Sequence, residues 1–148
     1  MGDLRPKGKG CLSDMSVEVF LGEDVEPIQH LPAVKHLIEG FKHWKNTGDP
    51  GKLFGRDVIT RDPRICKEEK VYHAHILEEK EFKIKRMHLR TEYDRTSDAC
   101  IFYCQGLCRP DYYLILAIVW NDAHWFLDNR HDQLRAYGKE AEDFRNAN

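Results

Sequence analysis

The sequence predicts an α+β fold: a small antiparallel β-sheet with helices packed on one face, in the order β-α-β-β-β-α. Three observations carry this. Two segments, 32–46 and 122–145, repeat apolar residues at helical spacing. Four others are short and rich in β-branched and aromatic residues, and they either alternate or run apolar throughout. The 148 residues suit one hydrophobic core, and no internal repeat divides them.

Residues 1–14 read as a flexible leader, with Pro6, Gly8 and Gly10 set among charges, and 15–148 as a single domain. A half-buried strand follows in SVEVFL, where Val17 and Val19 alternate with Ser16 and Glu18. In the helix at 32–46, Pro32 suits the first turn, and Val34, Leu37, Ile38, Phe41 and Trp44 form one stripe. Gly48, Pro50 and Gly51 stop it. Phe54-Gly55-Arg56-Asp57 reads as a turn, with Arg56 and Asp57 as a local ion pair. Strands follow at 70–77, 99–106 and 112–119. A basic loop at 78–98 joins the first two, and the short GLCRPD turn joins the last two. YYLILAIV is apolar on both faces, which predicts the central strand. The last helix, 122–145, has Asp122 as its cap and a stripe of Leu127, Leu134, Tyr137, Ala141 and Phe144.

Composition narrows the function classes. The net charge of -2 argues against a protein that grips nucleic acid by bulk electrostatics. The apolar run from Tyr112 to Trp120 falls short of the roughly 20 residues that a spanning helix needs. The N-terminal MGDLRPKGKG has no apolar stretch behind it, so it does not read as a secretory signal. Five cysteines, an odd number without framework spacing, read as reduced thiols in a cytoplasmic protein.

The chemistry-bearing residues are mostly histidines. His73 and His75 lie two apart on a strand and share a face. They suit acid–base work on a phosphodiester, a metal site, or simple hydrogen-bonded surface positions. Cys100, Cys104 and Cys108 lack the spacing of a zinc knuckle; a zinc site from His73, His75 and Cys104 is geometrically open but lacks a carboxylate at ligand spacing. Arg95 and Asp98 precede the strand at 99–106. There, Arg95 could clamp phosphate oxygens, or the RTSD segment could shape a turn. Tyr103 reads equally as core or as a stacking platform for RNA. His124 falls in the first turn of the last helix, where free N–H groups disfavour an imidazolium and a neutral histidine can act as a base; the alternative is an interface histidine. Lys83, Lys85, Arg86 and Arg90 belong to a run at 80–95 and would hold RNA backbone or form a solvated loop. Trp44, Trp120 and Trp125 read as packing residues.

A succession of motifs adds to this. LFGRD at 53–57, H-x-H at 73–75, RTSD at 95–98, YCQG at 103–106, LILAI at 114–118, AH at 123–124, DN at 128–129 and GKEAEDFR at 138–145 resemble the YafO toxin family in order and approximate spacing. The resemblance implies a bacterial type II toxin, grouped with the RelE/ParE-like toxins, that associates with the ribosome and cuts translated messenger RNA. It also implies a cognate protein antitoxin. Carried over by motif, the polar candidates are His73, His75, Arg95, Asp98, Tyr103, His124 and Asp128. The expected chemistry is RNA cleavage by acid–base catalysis without metal or cofactor. The rival is a non-catalytic toxin that blocks the ribosome or another target. One departure stands: such ribosome-dependent nucleases are commonly basic, and this chain carries -2.

Overall fold

In the computed structural model, residues 16–77, 81, 82, 84 and 98–148 are described. The strands are β1 (Glu18–Leu21), β2 (Phe54–Ile59), β3 (Tyr72–Ile76), β4 (Ala99–Gln105) and β5 (Tyr112–Val119). The helices are α1 (Pro32–Thr47), α2 (Arg64–Glu68), α3 (Ala123–Asn129) and α4 (His131–Ala147). The leader at 1–14 and the basic residues Lys83, Lys85, Arg86, Arg90 and Arg95 lie outside the described residues.

The α+β class stands, and its details differ from expectation. The sheet has five strands in the order β1-β5-β4-β3-β2. It is mixed: β1 runs parallel to β5, and the remaining pairs are antiparallel. α1 connects β1 at one edge to β2 at the other, so β1 joins the sheet by a crossover rather than a hairpin. Helices cover both faces, not one. On the first, Val34, Leu37, Phe41 and Trp44 of α1 pack on Phe54, Ala74, Ile76, Ile101, Tyr103 and Ile115. On the second, Leu134, Tyr137 and Ala141 of α4, with Cys66 of α2, pack on Cys100, Phe102, Cys104, Leu114 and Leu116.

β4 feeds both cores by simple alternation. It is the middle strand; β5, predicted as central, is interior between β1 and β4. The β4–β5 register shifts between Phe102 and Tyr103, so Leu116 and Ala117 both join the α4-side core.

The FGRD segment is a strand, not a turn. β2 is an edge strand whose register against β3 breaks between Phe54 and Asp57. That irregularity, and the charges an edge tolerates, hide the alternation. The predicted last helix is two helices, because Arg130 (φ -106°, ψ 53°) leaves helical geometry between α3 and α4. Asp122 does not cap α3; it sits at φ 53° and makes no side-chain cap hydrogen bond. Trp44 is buried as expected, whereas Trp125 is 57% exposed.

Gly138 in α4 marks a close approach. A Cβ there would lie 2.5 Å from Ile65 Cγ2 and 3.3 Å from Ile65 Cβ. Ile65 is β-branched at the contacting carbon, so α2 would have to move. Ordinarily Gly→Ala inside a helix gains about 1 kcal/mol; overpacking typically costs about 1–3 kcal/mol. Gly138→Ala should therefore lower the Tm in thermal unfolding, and a raised Tm would show that α2 yields freely.

Candidate functional site

Period-two geometry sends His73 and His75 to the α4 side of β3, while Ala74 and Ile76 enter the α1-side core. His73 packs against Phe102, with ring centroids 5.6 Å apart. Its own centroid is 6.3 Å from that of His75. His75 in turn lies 5.7 Å from His124, which β5 and the first turn of α3 deliver to the same place.

Asp98, the residue before β4, fixes His124. Its Oδ1 accepts from His124 Nδ1 at 2.9 Å, and its Oδ2 accepts the His124 backbone N–H at 3.1 Å. Its carbonyl accepts the Ala123 N–H at 3.0 Å. Asp98 thus does the capping expected of Asp122, from 26 residues away. A carboxylate at a helix N-terminus is favoured by the free N–H groups there. Partial burial pushes its pKa up, but the backbone and side-chain hydrogen bonds from His124 outweigh this and hold it below the usual carboxylate value. Because the carboxylate only accepts, Nδ1 of His124 carries a proton, and in the neutral ring the lone pair is on Nε2. The His124 side chain is 74% exposed.

His73 differs from both. It is buried, and its Nδ1 shares a hydrogen bond of 2.8 Å with Thr60 Oγ1. Burial first, then the neighbouring His75, His124 and Arg56, lower its pKa from 6.5 to about 4. His73 is neutral at pH 7.

A groove of about 510 Å³ runs along the β2 edge, lined by Arg56, Thr60, Arg61, His73 and Asp128 among others. His75 and His124 stand outside it, on more open surface; His73 is common to both. The sequence reading missed Arg56, Thr60 and Arg61. Arg56 is not paired locally with Asp57: the two neighbours face opposite sides of β2. Asp57 turns to the α1 side, where Oδ2 accepts the Tyr103 hydroxyl at 2.7 Å. Reading 54–60 as a strand would have placed Arg56 and Thr60 on one face.

Tyr103 is not brought to the histidines. It lies across the sheet, buried under α1, with Lys45 Nζ donating to its hydroxyl at 2.9 Å. Burial, then the hydrogen bond to Asp57, pushes its pKa up. Burial lowers that of Lys45, against the pull of Asp57. Asp128 lies in α3 and lines the groove.

The thiols are placed as spacing suggests. Cys100 and Cys104 are buried on one face, and Cys108 is exposed in the turn. Burial pushes Cys66 up to about 11 and Cys104 up to about 12, so neither is a ready thiolate at neutral pH. Among the described residues no group of three or more His, Cys, Asp and Glu is arranged to hold a metal ion. Among them also, no helix is long and apolar enough to cross a membrane.

The family model of toxin YafO, of type II toxin–antitoxin systems, matches residues 42–146. No curated protein and no solved structure gives a match to the chain. The match takes in more than half the chain, including the three histidines, Asp98 and the groove, and the chain belongs to this family. A type II toxin has a protein antitoxin as its partner.

The depressed His73 value makes stability depend on pH. The unfolded chain binds a proton here below pH 6.5, and the folded chain only below about 4. Stability from this residue is full above 6.5 and is lost as pH falls through that window, by about 3 kcal/mol in all. Denaturant melts between pH 7 and 4 should show this slope flattened in His73→Gln. An NMR titration should find one imidazole still neutral at pH 5; if all described histidines protonate by then, His73 is not held as the geometry requires.

Proposed function

We propose that this member of the YafO toxin family is a ribosome-dependent endoribonuclease that cleaves translated messenger RNA by metal-independent acid–base catalysis. One observation carries the reading: a carboxylate-oriented histidine, Asp98–His124, faces a second histidine, His75, with ring centroids 5.7 Å apart. Nucleophile activation and leaving-group protonation need two such groups on one face.

In this mechanism His124 Nε2 takes the proton from the ribose 2′-hydroxyl, which attacks the adjacent phosphorus. Asp98 holds the ring in the tautomer that leaves Nε2 free and stabilises the cation formed. His75 gives a proton to the departing 5′-oxygen as the P–O5′ bond breaks. The products are a 2′,3′-cyclic phosphate and a 5′-hydroxyl end. Arg56 and Arg61 of the groove, with Arg95 from the sequence reading, stabilise the charged phosphoryl oxygens. His73 stays neutral behind His75 and fixes the floor of the site through Thr60. Lys83, Lys85, Arg86 and Arg90 serve RNA backbone, of ribosome or message. A chain with net charge -2 depends on the ribosome to present its substrate. The site of action is the bacterial cytoplasm, where the antitoxin silences it.

Primer extension on messenger RNA after induction, with and without ribosomes, tests this directly. Cuts positioned by the ribosome are expected; intact message during growth arrest would favour a toxin that binds and blocks. His124→Ala and His75→Ala should each slow cleavage by about 10²–10⁴-fold while antitoxin binding persists. Asp98→Asn should impair cleavage through the wrong tautomer. Arg95→Lys should cost nearly as much as Arg95→Ala if a planar fork holds the phosphate. Undiminished cleavage by the His124 variant would remove it from the mechanism.

A further inference from the structure

Arg145 of α4 is 8% exposed, and its Nε and Nη1 have no hydrogen-bond partner among the described residues. A guanidinium does not shed its proton at physiological pH, so burial cannot be relieved by neutralisation. An unpaired buried charge is strongly unfavourable, and native structures supply a counter-charge. Among the described residues no carboxylate forms an ion pair with it, and Glu140 of the same helix turns its Oε2 to the Glu23 N–H at 2.9 Å.

The same arginine lines a pocket of about 300 Å³, with Lys70, Tyr72, Gln105 and Gly106. Lys70 brings a second positive charge to the rim from a backbone at φ 51°, a conformation that few side chains adopt. Gly106 closes the wall: a Cβ there would lie 2.5 Å from the Arg109 carbonyl and 3.2 Å from that of Asn148. The turn after β4 is thereby folded tightly against the end of α4 that carries Arg145. Gln105 ends β4, whereas Asp98 precedes its first residue, so this pocket and the His75–His124 pair occupy opposite ends of that strand.

We propose that the Arg145 pocket is a phosphate-binding site. Two cations match a phosphate dianion, whereas a carboxylate would neutralise one of them. The Arg145 guanidinium offers N–H donors to phosphate oxygens from the wall of the pocket, and Lys70 adds a second cation at its rim. The site does not depend on the cleavage chemistry of the histidines.

The full chain should be melted in phosphate-free buffer, with inorganic phosphate or acetate added at constant ionic strength. Phosphate should raise the Tm in proportion to the logarithm of its concentration above its Kd, by about 5–10 °C at a hundredfold excess. Acetate should not. Arg145→Met should lose this response while its phosphate-free Tm holds or rises, since it removes an unpaired buried charge. Lys70→Gly relieves the backbone strain and keeps the fold, and it should weaken the phosphate response at least tenfold in apparent Kd. His75→Ala should keep the response in full. A phosphate effect that is absent, that persists in both Arg145→Met and Lys70→Gly, or that acetate reproduces would overturn the proposal.

Discussion

Everything in this fold is hung on a strand with almost no access to water. Six of the seven residues of β4 are buried, and they alternate between two separate cores. A strand buried on both faces must have cover on both, so α1 and α4 are forced to opposite sides. It must also have neighbours on both edges, which β3 and β5 provide. The residue just ahead of it, Asp98, is where this rigid centre meets the surface. That makes Asp98 a stable anchor for the short helix α3, whose Ala123 is buried and whose Phe126 packs on Phe102.

The sheet also separates two kinds of polar chemistry. Under α1, Lys45, Tyr103 and Asp57 form a closed set: Lys45 and Asp57 stand 4.0 Å apart with the tyrosine hydroxyl between them. Lys45 lies over the Trp44 ring at 3.6 Å, so its charge is shared with an aromatic face. These contacts hold α1 in place, and among the described residues Asp57 Oδ1 is left without a hydrogen-bond partner. On the other side, three histidines run from buried to exposed, and each has a different partner. Thr60 holds His73, and Asp98 holds His124; His75 sits between two imidazoles. Identical side chains are set in different surroundings by the strand, loop and helix that carry them.

Period and composition made much of this legible. The H-x-H parity placed His73 and His75 together, and the stripes of α1 and α4 gave the two main helices. The succession of motifs from Leu53 onward gave the family. What escaped has physical reasons. β2 lacks alternation because its ladder is irregular near Gly55 and Arg56 and because it is an edge. The break at Arg130 carries neither Gly nor Pro, so nothing local announces it. Whether helices cover one face or both depends on β4 being buried twice, which its apolar run allowed but did not compel. Tyr103 was assigned by type and not by side; strand parity relates it to Ile101, but only the tertiary fold reveals that this side belongs to α1. The Asp98–His124 pair spans 26 residues, a separation that no periodicity reports.

That separation has a consequence for how the molecule comes into being. A chain synthesised from its N-terminus presents β3 and Asp98 before it has α3 at all. His75 then exists without His124, and Asp98 without the N–H groups it will cap. α3 takes its place against that cap, against the Phe102 ring of β4 and against Tyr137 of the helix after it. The parts of the cluster are therefore made early and the arrangement late. A chain made only as far as β4 holds His73, His75 and Asp98, and the geometry of the three imidazoles waits on α3.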